Sequence, residues 1–160
     1  MRVTSLGGPP AVAERFEIEI ANQQDRVAVD QGRLAEAARL ILRDHGPAAA
    51  RISIALVDDP TIHALNRQYL DHDYPTDVLS FMLEHERDFL EGEVVVSGET
   101  ALDASRAYGW EAADELLLYV VHGMLHLVGF DDQTATARAA MRRAERDYLR
   151  HFGLERKARP

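Results

Sequence analysis

The chain has 160 residues, 46% of them hydrophobic and 28% charged, with a net charge of −9 and no cysteine. This length and apolar content suit one domain with a substantial core, and the lack of cysteine excludes disulfide partners and thiolate metal ligands. No run approaches the roughly 20 apolar residues of a membrane-spanning helix, so no membrane partner is expected.

Residues 1–13 hold the breaker cluster Gly7-Gly8-Pro9-Pro10 and read as a flexible tail before a single domain over 14–155, with 156–160 as a C-terminal tail. Phe16 to Ile20 alternates apolar and charged residues, as a half-exposed strand does. A helix opens at Asp30 or Gln31 and runs to about Arg43, burying Leu34, Ala37, Ala38, Ile41 and Leu42; Gly46-Pro47 ends it. Ile52–Val57 is a strand. Asp58-Asp59-Pro60 then offers a capping carboxylate and an early proline for a helix carrying Leu65 and Tyr69, which stops before a turn over Asp71–Pro75. Thr76–Phe81 and Glu93–Ser97 read as strands, with the acidic stretch Glu84–Glu91 as the hairpin connection between them. Helices follow over Gly98–Tyr108, Glu111–Val128 and Thr134–Phe152. The expected class is α+β: a small mixed sheet with helices packed on it, and a metal site on a buried helix and the turn after it.

That site is written in His122-Gly123-Met124-Leu125-His126-Leu127-Val128-Gly129-Phe130-Asp131-Asp132. Residues four apart on a helix share a face, so His122 and His126 can grip one ion from the same side. The helix around them is apolar nearly all round and therefore buried, and a shared cation satisfies two buried neutral imidazoles. Gly129 permits the left-handed conformation in which a helix often ends, which lets Asp131 or Asp132 turn back as third ligand. Three protein ligands leave a coordination position open, as in catalytic zinc sites. Zinc peptidases of the H-E-x-x-H type need a Glu after the first His, and here that residue is Gly123.

This stretch resembles the H-G-x-L-H-L-x-G-[FY]-D-H signature of the YbeY family, bacterial metal-dependent endoribonucleases of ribosomal RNA maturation. Leu65-Asn66 with Tyr69, then Pro75-Thr76-Asp77-Val78-Leu79-Ser80-Phe81, resembles its L-N-x-x-[YW]-R and P-T-[DN]-V-L-S-F-P segments, and Gly92–Ser97 its G-D-I-x-I-S strand. The resemblance implies a zinc-dependent, single-strand endoribonuclease, and the absence of cysteine fits a cytoplasmic protein. It would act in maturation of the small-subunit 3′ end and in ribosome quality control, with ribosomal RNA and the small ribosomal subunit as partners. It also implies His122, His126 and Asp132 as ligands, Asp132 standing at the family's third-ligand position and Asp131 one before it, and it brings Thr76 and Ser80 near the metal cleft.

Three residues depart from the family pattern. Asp132 replaces the usual third His, lowering the net charge of the metal centre and admitting divalent metals other than zinc. Leu70 stands where the family has an important Arg and cannot fork onto phosphate; Arg67, one turn earlier, is either its substitute or a solvated charge. Met82 replaces a proline.

Charge is unevenly spread. Residues 133–160 hold eight Lys/Arg against three Asp/Glu in a chain that is otherwise strongly acidic. Arg138, Arg142, Arg146 and Arg150 recur every fourth residue opposite an apolar stripe of Ala137, Met141, Ala144, Tyr148 and Phe152. Arg138 and Arg142, nearest the metal ligands, are candidates for binding the RNA backbone, against a plain solvated face. His45, His63, His72, His85 and His151 lack ligand spacing, and Trp110 reads as a core contact. Two rival functions stay open. One is a non-catalytic ribosome-associated RNA-binding or assembly protein with a structural metal; the other is a metallopeptidase using Asp131 as base.

Overall fold

The computed structural model describes residues 15–70 and 76–155. Its elements are β1 (Arg15–Asn22), α1 (Gln31–His45), β2 (Ala49–Val57), α2 (Asp59–Leu70), β3 (Val78–His85), β4 (Phe89–Ser97), α3 (Gly98–Tyr108), α4 (Ala112–Leu127) and α5 (Ala135–His151). The expected α+β class is observed. The two terminal tails and the Asp71–Pro75 turn, with His72, lie outside the described residues.

The sheet has the order β1-β2-β4-β3, parallel across β1, β2 and β4 and antiparallel where β3 joins β4. Alternation along the strands divides the core. Ile52, Ile54 and Leu56 of β2 and Val94 and Val96 of β4 face the main core with α1, α4 and α5. Val57 and Val95 face a smaller cluster closed by Ile62 of α2. α4 is buried along most of its length because it lies between the sheet and the helices α1, α3 and α5.

The helix starts follow their capping chemistry. Asp30 accepts from the Arg33 amide at 3.1 Å, Asp58 from the Thr61 amide at 2.9 Å, and Thr134 from the Ala137 amide at 3.0 Å. Asp59 also accepts hydrogen bonds from Ser97 at 2.5 Å and Thr100 at 2.9 Å, tying α2 to the start of α3.

The acidic hairpin is tighter than expected. β3 continues to His85 and β4 starts at Phe89, with Glu84 paired to Glu91 beyond a bulge. Only residues 86–88 connect the strands, and the Glu86 amide donates to the Phe89 carbonyl at 2.8 Å. Charged side chains suit this edge because they point into water, so polarity does not end the pairing. At its other end β3 begins at Val78 rather than Thr76.

Candidate metal centre

α4 delivers both histidines, and its termination delivers the carboxylate. The Phe130 amide donates to the Leu125 carbonyl at 3.0 Å and the Gly129 amide to the His126 carbonyl at 3.1 Å, with Gly129 at φ 109°. This is the Schellman ending that the glycine foreshadowed. It folds the chain back so that Asp132 faces the helix it has just left.

His122 Nε2 lies 3.1 Å from His126 Nε2, and Asp132 Oδ2 lies 4.0 and 3.9 Å from these two nitrogens. Nitrogens bound tetrahedrally to zinc at the usual bond lengths stand about 3.3 Å apart, so the histidine pair is already near ligation spacing. The Asp132 oxygen stands about 0.6–0.7 Å farther out than that spacing. Two imidazole nitrogens and one carboxylate oxygen are a donor set that fits zinc and other borderline divalent ions. Asp131 is turned elsewhere: its Oδ1 accepts from the Gln133 amide at 3.1 Å.

The centre sits at the edge of a cleft of about 390 Å³, which His122 and Asp132 line together with Asp77, Tyr108, Tyr119, Arg138 and Arg142. Arg138 also donates to the Asp132 carbonyl at 3.1 Å, so one guanidinium both braces the turn that carries Asp132 and faces the cleft. Of the arginine row, Arg138 and Arg142 reach this cleft, whereas Arg150 pairs with Asp147 at 3.9 Å in solvent. Arg67 is exposed on α2, and neither it nor Leu70 lines the cleft. Ser80 packs behind the centre, donating to the Gly123 carbonyl at 2.9 Å. Thr76 is half-buried beside Asp77 and is not a lining residue of the cleft.

Glu145 went unnoticed in the sequence. It is 3% exposed, and its Oε2 lies 2.6 Å from His122 Nδ1. The signal for it was present: α5 buries Met141, Glu145, Tyr148 and Leu149, so one acid lies in an otherwise apolar stripe. The stripe is also rotated from the expected one, because Ala137, Ala144 and Phe152 are only half-buried.

The two histidines are driven in opposite directions. Burial alone pulls His122 down, but the hydrogen bond and charge of Glu145, with Asp77 and Asp132, outweigh it and hold His122 above its ordinary value. Burial, then the neighbouring His122 charge, push His126 below its ordinary value. A cation binding here therefore competes chiefly with a proton on His122.

Gly123 has a steric reason. A Cβ there would lie 2.6 Å from Val94 Cγ1 and 3.0 Å from both Ser80 Oγ and Val78 Cγ2. The position faces β3 and β4, so a peptidase-type Glu base has no room at this point.

Residues 19–153 match the family model described as Endoribonuclease YbeY. The chain belongs to the YbeY family. The Endoribonuclease YbeY of Rhodopirellula baltica is 47% identical over 154 residues, covering 95% of this chain and 79% of the relative. That of Carboxydothermus hydrogenoformans is 42% identical over 142 residues, covering 86% of this chain and 99% of the relative. The solution structure of TM1509 from Thermotoga maritima aligns with a TM-score of 0.57 at 25% identity, covering 84% of this chain and 86% of that one. The sequence resemblance thus extends over most of the chain.

Proposed function

We propose that this protein is a zinc-dependent endoribonuclease of single-stranded RNA, acting in maturation of the 3′ end of small-subunit ribosomal RNA and in ribosome quality control. Its partners would be ribosomal RNA and the small ribosomal subunit, and its location the cytoplasm. The observation that carries the reading is the convergence of His122, His126 and Asp132 beside an open cleft, in a chain whose relatives bear the name Endoribonuclease YbeY. No helix among the described residues is long and apolar enough to cross a membrane.

His122, His126 and Asp132 would hold the ion, with another divalent metal able to replace zinc. When bound, the ion supplies Lewis-acid charge for a phosphodiester and its attacking water. The protein's own residues do the rest. Arg138 and Arg142 draw the RNA backbone into the cleft and orient a phosphate by charge-assisted hydrogen bonds. Single-stranded RNA suits an open cleft because its phosphodiesters are reachable without opening a duplex. Asp132 leaves the centre less positive than three histidines would, which weakens attraction for phosphate and makes the two arginines more important.

A second reading, a ribosome-bound assembly protein without catalysis, is favoured by Leu70, which is 44% exposed and stands in the family's Arg position. The packing of Gly123 against β3 and β4 disfavours a metallopeptidase. The test is cleavage of a ribosomal RNA precursor by zinc-loaded protein beside identically purified His126→Ala. Cleavage by the native protein alone is expected. Equal or absent cleavage in both, with zinc verified in the native sample, would replace the enzyme with the assembly protein.

A further inference from the structure

We propose that Glu145 is a positioning residue of the metal centre, setting the ring orientation and tautomer of His122 and so the affinity for the ion. The inference rests on His122 being a metal ligand, as read above, and extends the centre to a helix that supplies none of its three ligands.

Glu145 is 3% exposed, and a carboxylate is kept in such a place only when donors or cations compensate its lost hydration. Its Oε2 meets His122 at Nδ1, at 2.6 Å, on the side of the ring away from the cluster. The opposite ring nitrogen, Nε2, is the one 3.1 Å from His126 Nε2 and 4.0 Å from Asp132 Oδ2. A proton held at Nδ1 toward Glu145 leaves the Nε2 lone pair for the ion, and it makes the imidazole a stronger donor. Glu145 is itself fixed by docking of α5, whose Met141 and Leu149 on the same face are buried in the main core. The rotamer of His122 on α4 is thus set from α5.

The arrangement also has an electrostatic consequence. Asp132 and Glu145 together place two carboxylates around the histidine pair, where a divalent ion meets opposite charge. This favours retention of the metal and compensates for the missing third imidazole.

The experiment measures zinc affinity by chelator competition for native protein, Glu145→Gln and Glu145→Ala, with circular dichroism as the check on folding. Glu145→Ala is expected to weaken zinc binding by about 10–100-fold, and Glu145→Gln, which keeps an acceptor without the charge, by less. A folded Glu145→Ala with native zinc affinity overturns the proposal, because a carboxylate serving only the packing of α5 would leave the ion untouched. Should Glu145→Ala fail to fold, the near-isosteric Glu145→Gln carries the affinity comparison. Long-range proton–nitrogen NMR of the zinc-loaded native protein decides independently of any variant. It is expected to show His122 protonated at Nδ1 and ligated through Nε2; the reverse overturns the proposal. Zinc-binding native protein that cleaves no RNA would refute the nuclease reading and leave this inference standing, whereas native zinc affinity in folded Glu145→Ala beside RNA-cleaving native protein would do the opposite.

Discussion

Asp131 and Asp132 are chemically identical neighbours, and one turn of backbone separates their fates. Asp131 is engaged in a local turn with the Gln133 amide, while Asp132 joins the histidines. Sequence reasoning narrowed the third ligand to this pair, and the family position favoured Asp132; the direction of each side chain depended on how the chain leaves Gly129. Asp132→Ala is therefore expected to lower zinc affinity by at least about tenfold, and Asp131→Ala to leave it close to native. Isothermal titration of both variants checks this, and a larger loss in Asp131→Ala would exchange their roles. Glu145 was harder to see at this scale. A single acid on a helix reads as a surface charge until the packing of α5 buries it.

Among the elements, α4 was the most legible. Its apolar composition announced burial, the histidine spacing announced a shared face, and Gly129 announced the end. Gly123 was legible only as the absence of a peptidase base; that a side chain would strike Val94 depends on how closely α4 lies on β4. Gly123→Ala adds helix propensity worth about 1 kcal/mol but overpacks this contact at a cost of about 1–3 kcal/mol. The expected outcome is a lower melting temperature, by about 2–4 °C for each kcal/mol of net loss, together with weaker zinc binding as α4 is displaced. Calorimetry with zinc titration checks it, and a raised melting temperature would show that the sheet yields freely. α5 and the β3–β4 hairpin were read less accurately. Arginines spaced every fourth residue suggested the exposed face of α5 correctly, but its buried face includes Glu145 and Leu149 in place of fully buried Ala137 and Phe152. The acidic sequence of the hairpin predicts a longer loop than the structure has, because charge on an edge strand looks the same as charge in a connection.

At the scale of the molecule, a net charge of −9 would oppose binding to a polyanion if it were spread evenly. The tertiary arrangement instead sets Arg138 and Arg142 of α5 beside His122 and Asp132 in one cleft. If both arginines meet RNA phosphates, Arg138→Ala with Arg142→Ala should reduce the salt dependence of single-stranded RNA binding by about 1.4 in the log–log slope, about 0.7 for each phosphate contact. Fluorescence anisotropy across a salt series measures it, and an unchanged slope would return both residues to the solvated face. Leu70 and Arg67 of α2 belong to the same scale, since neither lines this cleft.

The sequence by itself determined the α+β class, the approximate elements, and the His122/His126 pair on one helix face, with Asp131 and Asp132 as the nearby carboxylates. Those features are encoded locally, in period-two and period-3.6 patterns, capping residues and the four-residue spacing of one helix. Tertiary structure decided which aspartate turns toward the histidines, which arginines face the cleft, that a side chain at position 123 would crowd Val94, and that Glu145 meets His122. Each of these depends on contacts between residues distant in the chain or on the direction of a turn, and packing of the sheet, α4 and α5 against one another fixes them together.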